Sequence, residues 1–302
     1  GAVILVIGTM SKLNIFSTLA LVVFCFAIGE SLAVLFTSFI YSRSINEVLT
    51  IVSAPTESGR SLVMCYSMSS SLLRFMIVPG LYLFIVNKNS LDFLWNKSKM
   101  KMLSLGLSIL LAVSILPFIS LVAELNSSIL LPSWASEAET YFKANERQRQ
   151  QITDVLFTFT SPSDFIIVIL IGAIIPGIVE ELFFRGVIQT QLQARLISHH
   201  NAIFFSAFIF SVLHFQFYGL LPRMIMGLIL GYMFYWSKNI WYPVLVHIVN
   251  NTIGVIGIYF LGTTILEPYN KSLLTLLFVV ISFVLSVFII LHLKRIFYFR
   301  RR

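Results

Sequence analysis

Ile166-Ile-Val-Ile-Leu-Ile-Gly-Ala-Ile-Ile-Pro-Gly-Ile-Val-Glu180-Glu181-Leu-Phe-Phe-Arg185-Gly-Val-Ile188 is the stretch on which the reading of this chain turns. Apart from three charged residues it is apolar, and it is long enough to cross hydrocarbon, which takes about 20 helical residues. An ionisable residue at the centre of such a helix costs about 2.5–3.5 kcal/mol on insertion scales, so three within a turn and a half demand a reason, and function is the default one. Glu181 and Arg185 are four residues apart and fall on one helix face, where pairing lowers the burial cost of both. Glu180 points about 100° away around the same helix, which leaves its carboxylate free to face a cavity. Pro176 lacks a backbone donor one turn earlier, and Gly172, Ala173 and Gly177 allow close helix packing. The stretch therefore reads as a kinked, tightly packed mount for a site.

The rest of the chain is of the same kind. Hydrophobic residues make up 58% of the 302 and charged residues 11%, which places the protein among polytopic membrane proteins. Spans are expected at 13–41, 62–86, 102–124, 165–192, 202–217, 221–236, 240–261 and 272–293, the fifth and sixth being short. None shows the alternation of barrel strands, and an unpaired backbone cannot cross hydrocarbon otherwise than as helix. The expected fold is all-α, a bundle of about eight transmembrane helices around an intramembrane polar cavity. It divides into an amino-terminal region 1–164, a core 165–262, and a last helix with a basic tail, 263–302. Residues 126–164 form the longest polar segment, and 134–152 within it suits a surface helix or cap.

Threading eight spans with both termini on one side gives that side 12 of the 21 basic residues and the other side 7, with Arg74 and Arg185 inside spans. The excess places both termini in the cytoplasm and 126–164 outside. A net charge of +8 does not indicate nucleic acid here, because the basic residues are divided between two membrane faces and the densest cluster is the juxtamembrane tail ending Arg300-Arg301-Arg302. Cys25 and Cys65 lie in spans with no spacing that implies a disulfide framework or a metal ribbon. The apolar stretch 1–9 lacks the charged lead of a signal peptide and reads as a lead into the first helix.

Few other polar residues share the membrane with the two glutamates. His199 and His200 are expected in a cytoplasmic loop and His292 near the last helix end, which leaves His214 and His247 in apolar segments. His214 closes Phe210-Ser-Val-Leu-His214, and His247 opens His247-Ile-Val-Asn-Asn251, each pair on one helix face. Glu180, Glu181, His214, His247 and Asn251 come from three helices, and only a shared interior cavity lets them all avoid lipid. Glu30 and Arg74 are the remaining intramembrane charges, and pairing across helices is the simpler account of them.

Glu180-Glu181-x-x-x-Arg185, Phe210-x-x-x-His214 and His247-x-x-x-Asn251 resemble, in order, the three motifs of the CPBP intramembrane endopeptidases, also called the ABI family. That family includes the type II CAAX prenyl endopeptidase and bacterial relatives linked to bacteriocin processing or self-immunity. The resemblance covers about 165–255. It implies that Glu180, with His214, positions and deprotonates a water, and that His247 and Asn251 donate hydrogen bonds to the developing oxyanion. Arg185 would hold Glu181, and Glu181 would support the helix or the water. Phe210 is read as cavity wall.

No cofactor is expected on this reading, although Glu180, His214 and His247 are also a plausible zinc set with Glu181 as base. Against zinc, the chain lacks His-Glu-x-x-His on one helix, and Asn251 would have no part in it. The expected partners are the bilayer and a membrane-associated peptide or protein tail, cut near the cytoplasmic side, in a membrane expected to be the bacterial cytoplasmic one. A non-proteolytic binding or immunity factor of the same fold, and a proton-coupled transporter, stand as alternatives.

Overall fold

The computed structural model describes residues 15–81, 100–194, 196, 198–262 and 272–299. The lead at 1–9, the loop cations Lys12, Lys88, Lys97, Lys99, Arg195 and Lys271, and the tail Arg300-Arg301-Arg302 lie outside the described residues. Within them the chain is helical: α1 (Ile15–Tyr41), α2 (Ile45–Ser53), α3 (Arg60–Leu72, continuing through Leu73–Ile77), α4 (Met102–Ser114), α5 (Leu116–Ser127) and α6 (Ser136–Leu156). Then come α7 (Pro162–Gln193), α8 (His199–Val212), α9 (Leu220–Ser237), α10 (Trp241–Leu261) and α11 (Leu273–Phe299).

Seven helical stretches among the described residues are long and apolar enough to cross a membrane: α1, α3, α4 with α5, α7, α9, α10 and α11. The eighth expected segment is α8, whose 14 residues reach only about 21 Å at 1.5 Å per residue, short of a hydrocarbon core of about 30 Å. Large apolar side chains cover the outside, among them Phe39, Leu274, Val280, Val284 and Phe288, as lipid requires. The polar segment forms α6, which has Glu137 and Glu139 in its first turn and buries no residue.

Helix α7 lies between two apolar clusters. On one side α1 and α3 supply Leu21, Val22, Cys25, Phe75 and Val78 against Val179, Phe183, Phe184 and Ile188 of α7. On the other, α4, α5, α9, α10 and α11 share a second cluster that includes Leu111, Ile119, Leu230, Tyr242 and Ile289. The expected distortion of α7 takes the form of widened turns at Leu170–Ile174 and Leu182–Gln189. The first ends two residues before Pro176, which has no N–H for the regular ladder, and a widened turn accommodates that loss.

Glycines set the closest approaches. A Cβ at Gly177 would lie 2.6 Å from Ile248 Cγ1 and 3.1 Å from its backbone N, so α7 and α10 touch backbone to backbone there. At Gly227 and Gly231, one turn apart on α9, a Cβ would lie 3.0 Å from Ala207 Cβ and 2.8 Å from Ile203 Cγ2 of α8. Glu30 and Arg74 do pair, at 2.8 Å, with Tyr66 and Ser70 also donating to the Glu30 carboxylate at 2.6 and 3.1 Å.

Candidate active site

Glu181 is fully buried, and its Oε1 accepts hydrogen bonds from Arg185 Nη1 at 2.8 Å and from His247 Nδ1 at 2.9 Å. The first is the i, i+4 pair read from spacing. The second crosses from α7 to α10 at the level of the Gly177–Ile248 approach. Arg185 is 1% exposed. Its Nη2 donates to the Gly227 carbonyl at 3.0 Å, and Gln189, one turn on, donates to the Gly231 carbonyl at 3.0 Å. The two small residues thus let α8 approach α9 while their carbonyls receive α7. This Gly-x-x-x-Gly spacing stands in the sequence, and neither it nor Gln189 figures among the residues that spacing and motifs singled out.

Glu180 turns away from this ion pair, as the helical repeat requires, and faces a cavity of about 520 Å³. His214, His247, Asn251 and Phe210 line the same cavity, so the three motif segments meet at one place. Glu180 Oε2 lies 3.9 Å from His247 Nε2, too far for a direct hydrogen bond.

His214 departs from expectation in its setting. Helix α8 ends at Val212, and His214 sits in the turn beyond it, followed by Phe215 at φ 53°, a left-handed conformation uncommon for a residue with a side chain. The i, i+4 relation to Phe210 survives as a 2.8 Å contact between His214 Nδ1 and the Phe210 carbonyl. A carbonyl only accepts, so Nδ1 carries the proton and Nε2 of the neutral ring holds the lone pair. His247 is fixed in the same sense by the Glu181 carboxylate. Phe210 does more than line a wall: its ring lies 4.9 Å from His214 and 6.1 Å from His247, and Arg185 sits over it at 5.2 Å. One aromatic ring therefore spaces the three motifs.

His199 and His200 open α8 rather than sitting in a loop. His199 stacks on Tyr235 at 4.2 Å, and His200 contacts the Tyr232 hydroxyl at 2.6 Å, and neither is among the residues that line the cavity. Arg223, one of the seven basic residues assigned to the outer side by the charge count, stands in the first turn of α9 and lines the cavity with Glu180 and His214. Among the described residues no group of three His, Cys, Asp or Glu side chains stands in an arrangement that would hold a metal ion.

Residues 162–253 match the family model described as Type II CAAX prenyl endopeptidase Rce1-like. The match begins at the first residue of α7 and ends two residues beyond Asn251, so it contains every motif residue and leaves out α1–α6 and α11. Comparison with curated proteins and with solved structures gave no match. The segment from α7 to α10, which sets the paired glutamates, two histidines and asparagine around one cavity, is thus similar to the type II CAAX prenyl endopeptidases.

Proposed function

We propose that the chain is an intramembrane endopeptidase that hydrolyses a peptide bond of a membrane-associated peptide or protein tail with a water activated by Glu180. The observation that carries this is the single cavity shared by Glu180, His214, His247 and Asn251, set within a segment that matches a prenyl endopeptidase family. Glu180 takes a proton from the water, and the His214 Nε2 lone pair, held inward by the Nδ1 contact with Phe210, orients that water. As oxygen of the water bonds to the scissile carbon, negative charge builds on the carbonyl oxygen. Asn251 donates to it through its amide, which is never short of a proton. His247 donates from Nε2 only as the imidazolium, because its Nδ1–H is committed to Glu181, and the buried carboxylate balances that charge. Collapse of the intermediate breaks the C–N bond, and the proton held by Glu180 passes to the leaving amine.

The reading is metal-free. Glu181 and Arg185 act by positioning, one on His247 and the other on Glu181. The cavity lies toward the end of the bundle covered by α6, since Asn145 of α6 donates to the Phe215 carbonyl next to His214. With α8 counted as a short eighth crossing, since it returns the chain to the α6 end, and with both termini in the cytoplasm as the charge count has it, that end faces outward and cleavage falls on the outer side of the bilayer. A bacterial cytoplasmic membrane and a peptide-processing role complete the reading. The test is to compare peptide and protein termini in membranes holding equal amounts of wild type and Glu180→Gln. Termini made only by the wild type support proteolysis, and identical termini with a folded variant favour a binding factor of the same fold.

A further inference from the structure

We propose that Arg223 is the residue that binds a carboxylate of the substrate, making the cavity selective for peptides that carry one beyond the scissile bond. This rests on the proteolytic reading above.

The other buried or half-buried arginines of the bundle each have a carboxylate: Arg60 has Asp164 at 3.1 Å, Arg74 has Glu30 at 2.8 Å and Arg185 has Glu181 at 2.8 Å. Arg223 has none within ion-pairing distance among the described residues. It nevertheless lines the same cavity as Glu180 and His214. Its nearest carboxylates, Glu146 and Glu180, act on it from beyond pairing distance, so the guanidinium still has room for an anionic ligand, and it matches a carboxylate with two parallel donors.

The group is also held ready. Its Nη1 donates to the Gln216 carbonyl at 3.2 Å and its Nη2 to Gln216 Oε1 at 2.6 Å. Gln216 is fixed in turn by its amide, which donates to Glu146 of α6 at 3.0 Å. The guanidinium lies against the bare face of Gly219, where a Cβ would stand 2.6 Å from Cζ and 2.8 Å from Nη1. The turn carrying Gln216 and Gly219 is clamped from a second side by Asn126, which donates to the Phe217 carbonyl at 3.1 Å and accepts from the Leu221 N–H at 2.7 Å. Rings of Phe142 and Phe217 stack at 4.9 Å to dock α6 on it. Helices α5 and α6, outside the family match, thereby set the position of a cation inside the matched cavity.

The experiment uses the full chain in nanodiscs and three fluorescent peptides that carry a farnesylated cysteine near the carboxyl end. One ends in a free acid, one in an amide, and one in an amide with a glutamate placed beside it. Binding is read on Glu180→Gln and cleavage on the wild type. The acid peptide is expected to bind about tenfold more tightly than the plain amide. A glutamate that restores binding identifies the side-chain carboxylate as an equal ligand, and one that does not restricts recognition to the chain terminus. Adding Arg223→Gln, or Gly219→Ala as a second route that keeps the charge but displaces it, should abolish the preference. Arg223→Lys, a guard against loss of folding, should keep part of it. Equal binding of all three peptides, or a preference that survives Arg223→Gln, overturns the inference. A protein that binds the acid peptide through Arg223 and cuts none keeps the inference and loses the proteolytic reading.

Discussion

Glu181 and His247, 66 residues apart, meet across the α7–α10 interface in a 2.9 Å hydrogen bond, and the same carboxylate oxygen binds Arg185. One buried anion thus joins the first motif to the third. Its neighbour Glu180 is left to the cavity.

Removing the cation from this arrangement strands a buried charge. Arg185→Ala should cost about 3–5 kcal/mol, the range for breaking one partner of a buried pair, and also releases the Gly227 carbonyl. The expected result is low folded yield and a lower melting temperature in detergent. Arg185→Lys should rescue little, because an ammonium cannot span both partners as the fork does. A monodisperse, heat-stable but inactive Arg185→Ala would show that the pair serves chemistry alone.

The two glutamates should separate in kinetics. Glu180→Gln removes the base and should leave no measurable cleavage with melting temperature little changed. Glu181→Gln retains a similar shape but can donate to His247 Nδ1, which reverses the imidazole tautomer and turns a proton toward Glu180. By analogy with other orienting carboxylates, kcat should fall by at least about a hundredfold with KM nearly unchanged. Equal losses in kcat and rises in KM would instead assign Glu181 to substrate binding.

Gly177 fixes the distance between α7 and α10. Gly177→Ala should cost about 1–3 kcal/mol as overpacking and lower activity by drawing Glu181 away from His247. Gly254 on α10 has nothing within 4 Å of an added Cβ, so Gly254→Ala should be neutral or slightly stabilising. Thermal melts of the two variants side by side give the comparison, and an equal response would mean that the close approach is not limiting.

A metal-free site predicts full activity after dialysis against a chelator, and no stoichiometric zinc in the purified protein by elemental analysis. Activity that disappears with chelation and returns with zinc would require Glu180, His214 and His247 to move together into a ligand set.

Membrane orientation decides which side the cavity serves. Lys143 of α6 and Lys294 of α11 are exposed. In a background without Cys25 and Cys65, Lys143→Cys should react with an impermeant maleimide in intact cells, and Lys294→Cys only after permeabilisation. The reverse pattern would place the cavity end in the cytoplasm.

The sequence by itself determined the solvent, the helical class and the local pairing. Apolar runs can satisfy their backbone in hydrocarbon only as helices, and the 3.6-residue repeat alone puts Arg185 beside Glu181 and turns Glu180 away. It also contained the three motifs whose segment matches the family model. What only the tertiary structure decided are the relations between helices: the His247 bond to Glu181, the Phe210 ring set among His214, His247 and Arg185, and the entry of Arg223 into the cavity. These depend on where Gly177, Gly227 and Gly231 let backbones close and on how α5 and α6 clamp the turn after α8, distances that no periodicity within one segment encodes.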